Sequence, residues 1–146
     1  MNKLVKFLFL FAVLFGALSC NRMKTTQVIN ESYADGNPKV LTEYIVDEKG
    51  KKTLYKEIRF FPGEKKFVEI QYDPKGLWDG ICASWYENGN KNSEMKYVNG
   101  KEDGKYRVWH PNGKLYIKGQ YDMGRKTGVW EIYDSLGVKT KEENFK

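Results

Sequence analysis

One histidine, two cysteines and four prolines in a chain of 146 residues leave little for metal, redox or disulfide chemistry. His110 has no Cys-His or His-His partner at metal-ligand spacing. It stands before Pro111 in a turn sequence and reads as a solvated loop residue. A Ser-His-acid set would have to join His110 to Ser84, Ser93 or Ser135, none of which lies in a nucleophile elbow. Acids are plentiful, but no carboxylate pair is marked out by its neighbours for general acid-base work. The stretch Gly119 to Thr127 begins like a phosphate-binding loop. Its lysine, Lys126, comes one place late, and a strand sequence follows where a helix should open. No catalytic residue, metal ligand or cofactor site is assigned on these grounds, and the reading is of a non-enzyme. Beyond residue 20 no stretch shows a helical period as strong as the strand-and-turn pattern. The longest apolar run, Phe7 to Leu18, falls short of the ~20 residues that cross a bilayer as a helix.

What is present begins with that run. Lys3 and Lys6 precede it and Ala17-Leu18-Ser19-Cys20 closes it, the order of charged, apolar and small-residue regions found in a secretory signal. The residues around Cys20 resemble the lipobox of bacterial lipoproteins, which implies that Cys20 becomes the lipid-modified first residue of the mature chain. The leucine usual three places before that cysteine is Ala17 here, so ordinary cleavage after Ser19 stays open as the alternative. Two or more acyl chains make a stable membrane anchor. Residues 1–19 are thus read as a signal peptide and residues 20–32 as the lipidated cysteine with a polar, unpatterned tether. With Cys20 spent on lipid, Cys82 is the one remaining thiol and no internal disulfide is expected. Loss of Lys3 and Lys6 lowers the formal charge from +6 to +4. Opposite charges interleave, as in Lys139-Thr140-Lys141-Glu142-Glu143, so no nucleic-acid partner is indicated.

Residues 33–146 repeat themselves. Gly80, Gly104 and Gly128 lie 24 residues apart, as do Gly89, Gly113 and Gly137. Aromatic residues keep the same step, in the series Trp85, Trp109, Tyr133 and the series Tyr97, Tyr121, Phe145. From Gly36 to Gly137, nine glycines at intervals of 11 to 14 residues bound strand-length runs rich in aromatic and branched side chains. Asn-Gly, Lys-Gly and similar pairs between such runs are hairpin signals. Nine turns predict about ten antiparallel strands.

Tyr97-Val98-Asn99-Gly100-Lys101-Glu102-Asp103-Gly104 and Tyr121-Asp122-Met123-Gly124-Arg125-Lys126-Thr127-Gly128 resemble the MORN repeat, and Tyr72 to Gly80 is a copy with one insertion. Trp85 to Gly89 and Trp109 to Gly113 resemble its bacterial variant, the YwqK-type repeat. The resemblance is strong from Tyr72 to Lys146 and weak from Tyr33 to Gly63. It implies an all-β, elongated and twisted antiparallel meander of hairpin repeats, and a role as a scaffold or membrane-proximal binding module. Bacterial members are often labelled antitoxins, a role that fits poorly with export and lipid anchoring.

The pleat separates two aromatic columns, because residues three apart on a strand point to opposite faces unless a bulge intervenes. Cys82 and Trp85, Tyr106 and Trp109, and Trp130 and Tyr133 are such pairs. A two-residue loop at Asn88-Gly89 would pair Cys82 with Met95. The same loop at Asn112-Gly113 would pair Tyr106 with Gly119, whose bare backbone a ring can cover, and Val108 with Ile117. The inner face then carries Tyr106, Val108, Leu115, Ile117, Tyr121, Trp130 and Ile132. Trp85, Trp109 and Tyr133 lie among charges on the other, as a candidate binding surface that is at least partly wet. Burial of both columns in a curled sheet is the alternative.

These readings converge on a binding or scaffold lipoprotein of the cell envelope, at the outer membrane or the outer face of the plasma membrane. Its partners would be the membrane through the anchor and a protein. A cell-wall or carbohydrate-binding repeat is the alternative, although such repeats run shorter than this one; an envelope hydrolase would need acids converging in one cleft. If Cys20 carries the anchor, Cys20→Ser should release the protein from the membrane fraction or block its processing. Normal cleavage with retention in the membrane fraction would count against the anchor.

Overall fold

The computed structural model describes residues 24–146, so the signal segment 1–19 and Cys20 lie outside the described residues. Ten strands follow one another: β1 (Lys24–Ser32), β2 (Pro38–Val46), β3 (Lys52–Phe60), β4 (Lys66–Gln71), β5 (Gly80–Trp85), β6 (Lys91–Val98), β7 (Lys101–Trp109), β8 (Leu115–Asp122), β9 (Arg125–Tyr133) and β10 (Lys139–Phe145). They form one open antiparallel meander in strict sequence order, and no helix occurs among the described residues. The fold is all-β, as the glycine period predicts. One boundary differs. Lys24–Ser32, read as part of the tether, is the first strand and pairs with β2 from Lys24↔Val46 to Ser32↔Pro38. As an edge strand in a single layer it is wet on both faces, so its sequence has no reason to alternate.

From β5 onward the two ends of the sheet turn differently. At one end each loop closes over five residues, as in Tyr86–Asn90 and His110–Lys114. The first residue donates its N–H to the carbonyl of the fifth, and the glycine N–H returns to the carbonyl of the first. This replaces the two-residue loops expected at Asn88-Gly89 and Asn112-Gly113. The pairings Cys82↔Met95, Tyr106↔Gly119 and Val108↔Ile117 form nonetheless. The extra loop residue shifts the register by one, and a bulge at Asn92 or Tyr116 shifts it back. At the other end, Asn99-Gly100 and Met123-Gly124 make true two-residue turns, with φ of 49° and 79° in the first and 46° and 90° in the second. Both central residues at positive φ define a type I′ turn, whose twist suits antiparallel strands.

The bulges decide which side chains share a face. Leu115, expected with Ile117, instead pairs with Trp109 and lies on its face, because Tyr116 is the unpaired residue between them. Gly119 is covered, but by the ring of Trp130 and not that of Tyr106: a Cβ there would stand 2.2 Å from the indole. Trp130 is 6% exposed and its Nε1 has no hydrogen-bond partner, so packing alone holds the ring. Tyr106, Tyr121 and Phe145 surround it at centroid distances of 5.5, 5.1 and 6.1 Å. Lys126 Nζ stands 4.4 Å from its centroid. The second aromatic series lies opposite the glycines of the preceding strand, Tyr97 on Gly80, Tyr121 on Gly104 and Phe145 against Gly128. These glycines of the 24-residue period are fixed by backbone conformation: Gly80, Gly104 and Gly128 stand at φ of 104°, 110° and 64°, which side chains rarely adopt, and a Cβ at Gly80 would also strike Gln71.

Burial is unequal between the columns, which supports the assignment of Trp130 to the packed face. Trp130→Ala should cost about 3–5 kcal/mol, as expected for a buried indole. Trp109→Ala, removing a half-buried ring, should cost well under half of that. Denaturant melts of the two variants measure both, and equal large losses would show that the columns are packed alike.

Candidate functional site

An unbroken register row crosses all ten strands on the Trp109 face: Ile29, Leu41, Ile58, Glu69, Ala83, Glu94, Arg107, Lys118, Glu131 and Glu142. Ile58 and Ala83 are buried at 8% and 6% exposure, so this face packs in its first half. From Glu94 onward it is charged. Two residues further along β5, β7 and β9 stand Trp85, Trp109 and Tyr133, in line on the same face and each half-buried. The column therefore exists as the period predicts, and neither full exposure nor full burial describes it.

Each ring has its own ammonium and each ammonium its own carboxylate. Lys66, Lys91 and Lys118 place Nζ at 5.5, 5.6 and 5.8 Å from the Trp85, Trp109 and Tyr133 centroids, within cation–π range. Lys66 pairs with Glu69 at 2.7 Å, Lys91 with Glu94 at 2.5 Å, and Lys118 with Glu131. Arg107 approaches Glu94 at 3.8 Å, while Lys139 and Lys56 approach Glu131 and Glu69 at 3.3 Å each. Tyr133 Oη donates to Glu131 at 2.9 Å. Burial opposes ionisation of Glu69, but the hydrogen bond from Lys66 and the charges of Lys56 and Lys66 outweigh it and hold the carboxyl below its ordinary value. These lysines and glutamates were not singled out from the sequence. Their signal was the shared three-residue step of Lys66 to Glu69 and Lys91 to Glu94, each beside a ring one strand away.

The loops fix the backbone of this column. Tyr86 Oη donates to the carbonyl of Trp109 at 2.8 Å, and His110 Nε2 donates to that of Tyr133 at 3.0 Å. Asn88 and Asn112 reach from their loops to Pro111 and Ser135 of the next loop, both at 2.8 Å. His110 is therefore a rung of a loop-to-loop ladder, part-buried and 4.6 Å from the Tyr116 ring, and not the solvated residue the sequence suggests. Ser84 and Ser93 hydrogen-bond each other at 2.7 Å. Cys82 is a free thiol whose ionisation burial pushes up. Among the described residues no three of His, Cys, Asp and Glu converge as metal ligands. What this face can do is bind: it presents flat rings, each flanked by a paired lysine donor and glutamate acceptor.

The repeat that builds this face matches a known family. Residues 78–99 and 102–123 each match the MORN repeat variant. The chain therefore carries two such repeats, the first spanning β5–β6 and the second β7–β8. No curated protein matches the chain. MORN repeats are generally binding or scaffold modules.

The sign of the Glu69 shift gives a prediction. A depressed folded-state value means that its ion pairs contribute fully above the ordinary glutamate range, about 4.3. That contribution is lost as pH falls through the lower folded-state value. NMR titration of the Glu69 carboxyl should give a midpoint below the ordinary range, and Lys66→Met should move it upward. A midpoint unmoved by that change would remove Lys66 as a cause.

Proposed function

We propose that this chain is a lipid-anchored protein of the cell envelope, held by Cys20 and acting as a binding module through the Trp85, Trp109 and Tyr133 face. The observation that carries the reading is a row of half-buried aromatic rings at repeat spacing on a sheet over which no second layer packs among the described residues. Rings that merely filled a core would be covered, as Trp130 is. The anchor supports the envelope setting: three residues separate Cys20 from β1, so acyl chains there hold the sheet close to the membrane surface. The pairing of each ring's lysine with a glutamate favours a partner held at the rings by flat contact and hydrogen bonds over one steered by charge.

Cross-linking in intact envelopes, with the photo-reactive group at position 107 between Trp85 and Tyr133, tests this reading. The wild-type chain should give a discrete adduct, and Trp85→Ala with Trp109→Ala should lose most of it while the protein stays in the membrane fraction. An adduct of unchanged yield in the double variant would sink the surface, and a soluble wild-type protein would sink the anchor.

A further inference from the structure

Rings on the column come from every second strand. Neighbouring strands lie 4.7–4.9 Å apart, so successive rings are about 9–10 Å apart across the sheet. Lys91 is paired with Trp85 and Leu115 with Trp109, and Lys91 Nζ reaches on to the Trp109 ring of the following strand. We propose that the column binds a linear β-1,4-linked glycan laid across the strands, a reading that rests on this face being the contact surface.

Three features favour that occupant. The advance of one sugar in a β-1,4-linked chain is close to one strand spacing, so alternate sugars meet successive rings. The apolar face of a pyranose ring stacks on a flat aromatic side chain, which Trp85, Trp109 and Tyr133 each supply. Beside each ring a lysine donor and a glutamate acceptor stand ready for equatorial hydroxyl groups: Lys66 and Glu69, Lys91 and Glu94, Lys118 and Glu131. Because those charges are already paired, a polyanion such as nucleic acid gains little there, whereas a neutral polyhydroxylated chain loses nothing.

Length dependence tests the match. The full chain in detergent micelles is titrated calorimetrically with cello- and chito-oligosaccharides of two, four and six sugars. Affinity for at least one series should rise roughly tenfold with each added disaccharide, the scale of one aromatic contact. Trp109→Ala should bring the six-sugar affinity down to that of the two-sugar ligand, and Trp109→Tyr should restore most of it. Leu136→Ala, in a loop at 74% exposure, should change nothing. No binding of either hexasaccharide, equal affinity at all lengths, or insensitivity to Trp109→Ala overturns the proposal. If both hexasaccharides fail while the double variant still loses its envelope adduct, the glycan is wrong and the surface stands, with a protein as its partner.

Discussion

The rest of this structure depends on one constraint: the described residues form a single layer. A lone sheet buries little, and among the described residues the buried hydrophobic side chains are Ile58, Ile70, Ala83, Met95 and Trp130. Cohesion must come from what lies between adjacent strands: the backbone ladder and the side-chain pairs that straddle it. Hence the Trp130 ring over Gly119, charges answering charges along the row from Glu94 to Glu131, and loops tied to the next loop. Each device works over one or two strand widths. None needs a distant part of the chain.

This explains why the two faces became chemically distinct without either becoming a core. On one, Trp130 closes over Gly119 and is ringed by Tyr106, Tyr121 and Phe145. On the other, the ammonium groups of Lys66, Lys91 and Lys118 stand within cation–π range of Trp85, Trp109 and Tyr133 while each pairs with a glutamate. The first arrangement spends its aromatic surface on stability. The second leaves ring faces half-buried, flanked by groups able to exchange a salt bridge for a ligand's hydroxyl.

Much of this was legible because the period is a sequence property. The turns, strand number and the two columns follow from glycines and aromatics at a 24-residue step. Local irregularity was not legible. Asn92 and Tyr116 look like ordinary strand residues, yet each is unpaired, and the face of Leu115 turns on that one residue. The pairing of Cys82 with Met95 followed from the sequence through two errors that cancel, a loop one residue too short and a bulge left out. β1 escaped notice because a strand wet on both faces carries no hydrophobic alternation. His110 escaped because its acceptor, the carbonyl of Tyr133, lies one repeat away and leaves no mark on neighbouring residues. The charges beside the rings were visible as residues, but their partners come from adjacent strands.

Strict nearest-neighbour pairing from β1 to β10 has a consequence for how such a protein changes size. In a globular domain, removing a segment opens a hole. Here, excising one period, such as β7 with β8, would bring β9 against β6, and the new junction would resemble the old ones because Gly80, Gly104 and Gly128 face the same kind of ring. Duplicating a period would lengthen the sheet by about 9–10 Å and add one more ring to the column. The fold is thus a ruler whose graduations are strand pairs, and reach along a partner can be lengthened or shortened by whole marks without redesigning what lies between them.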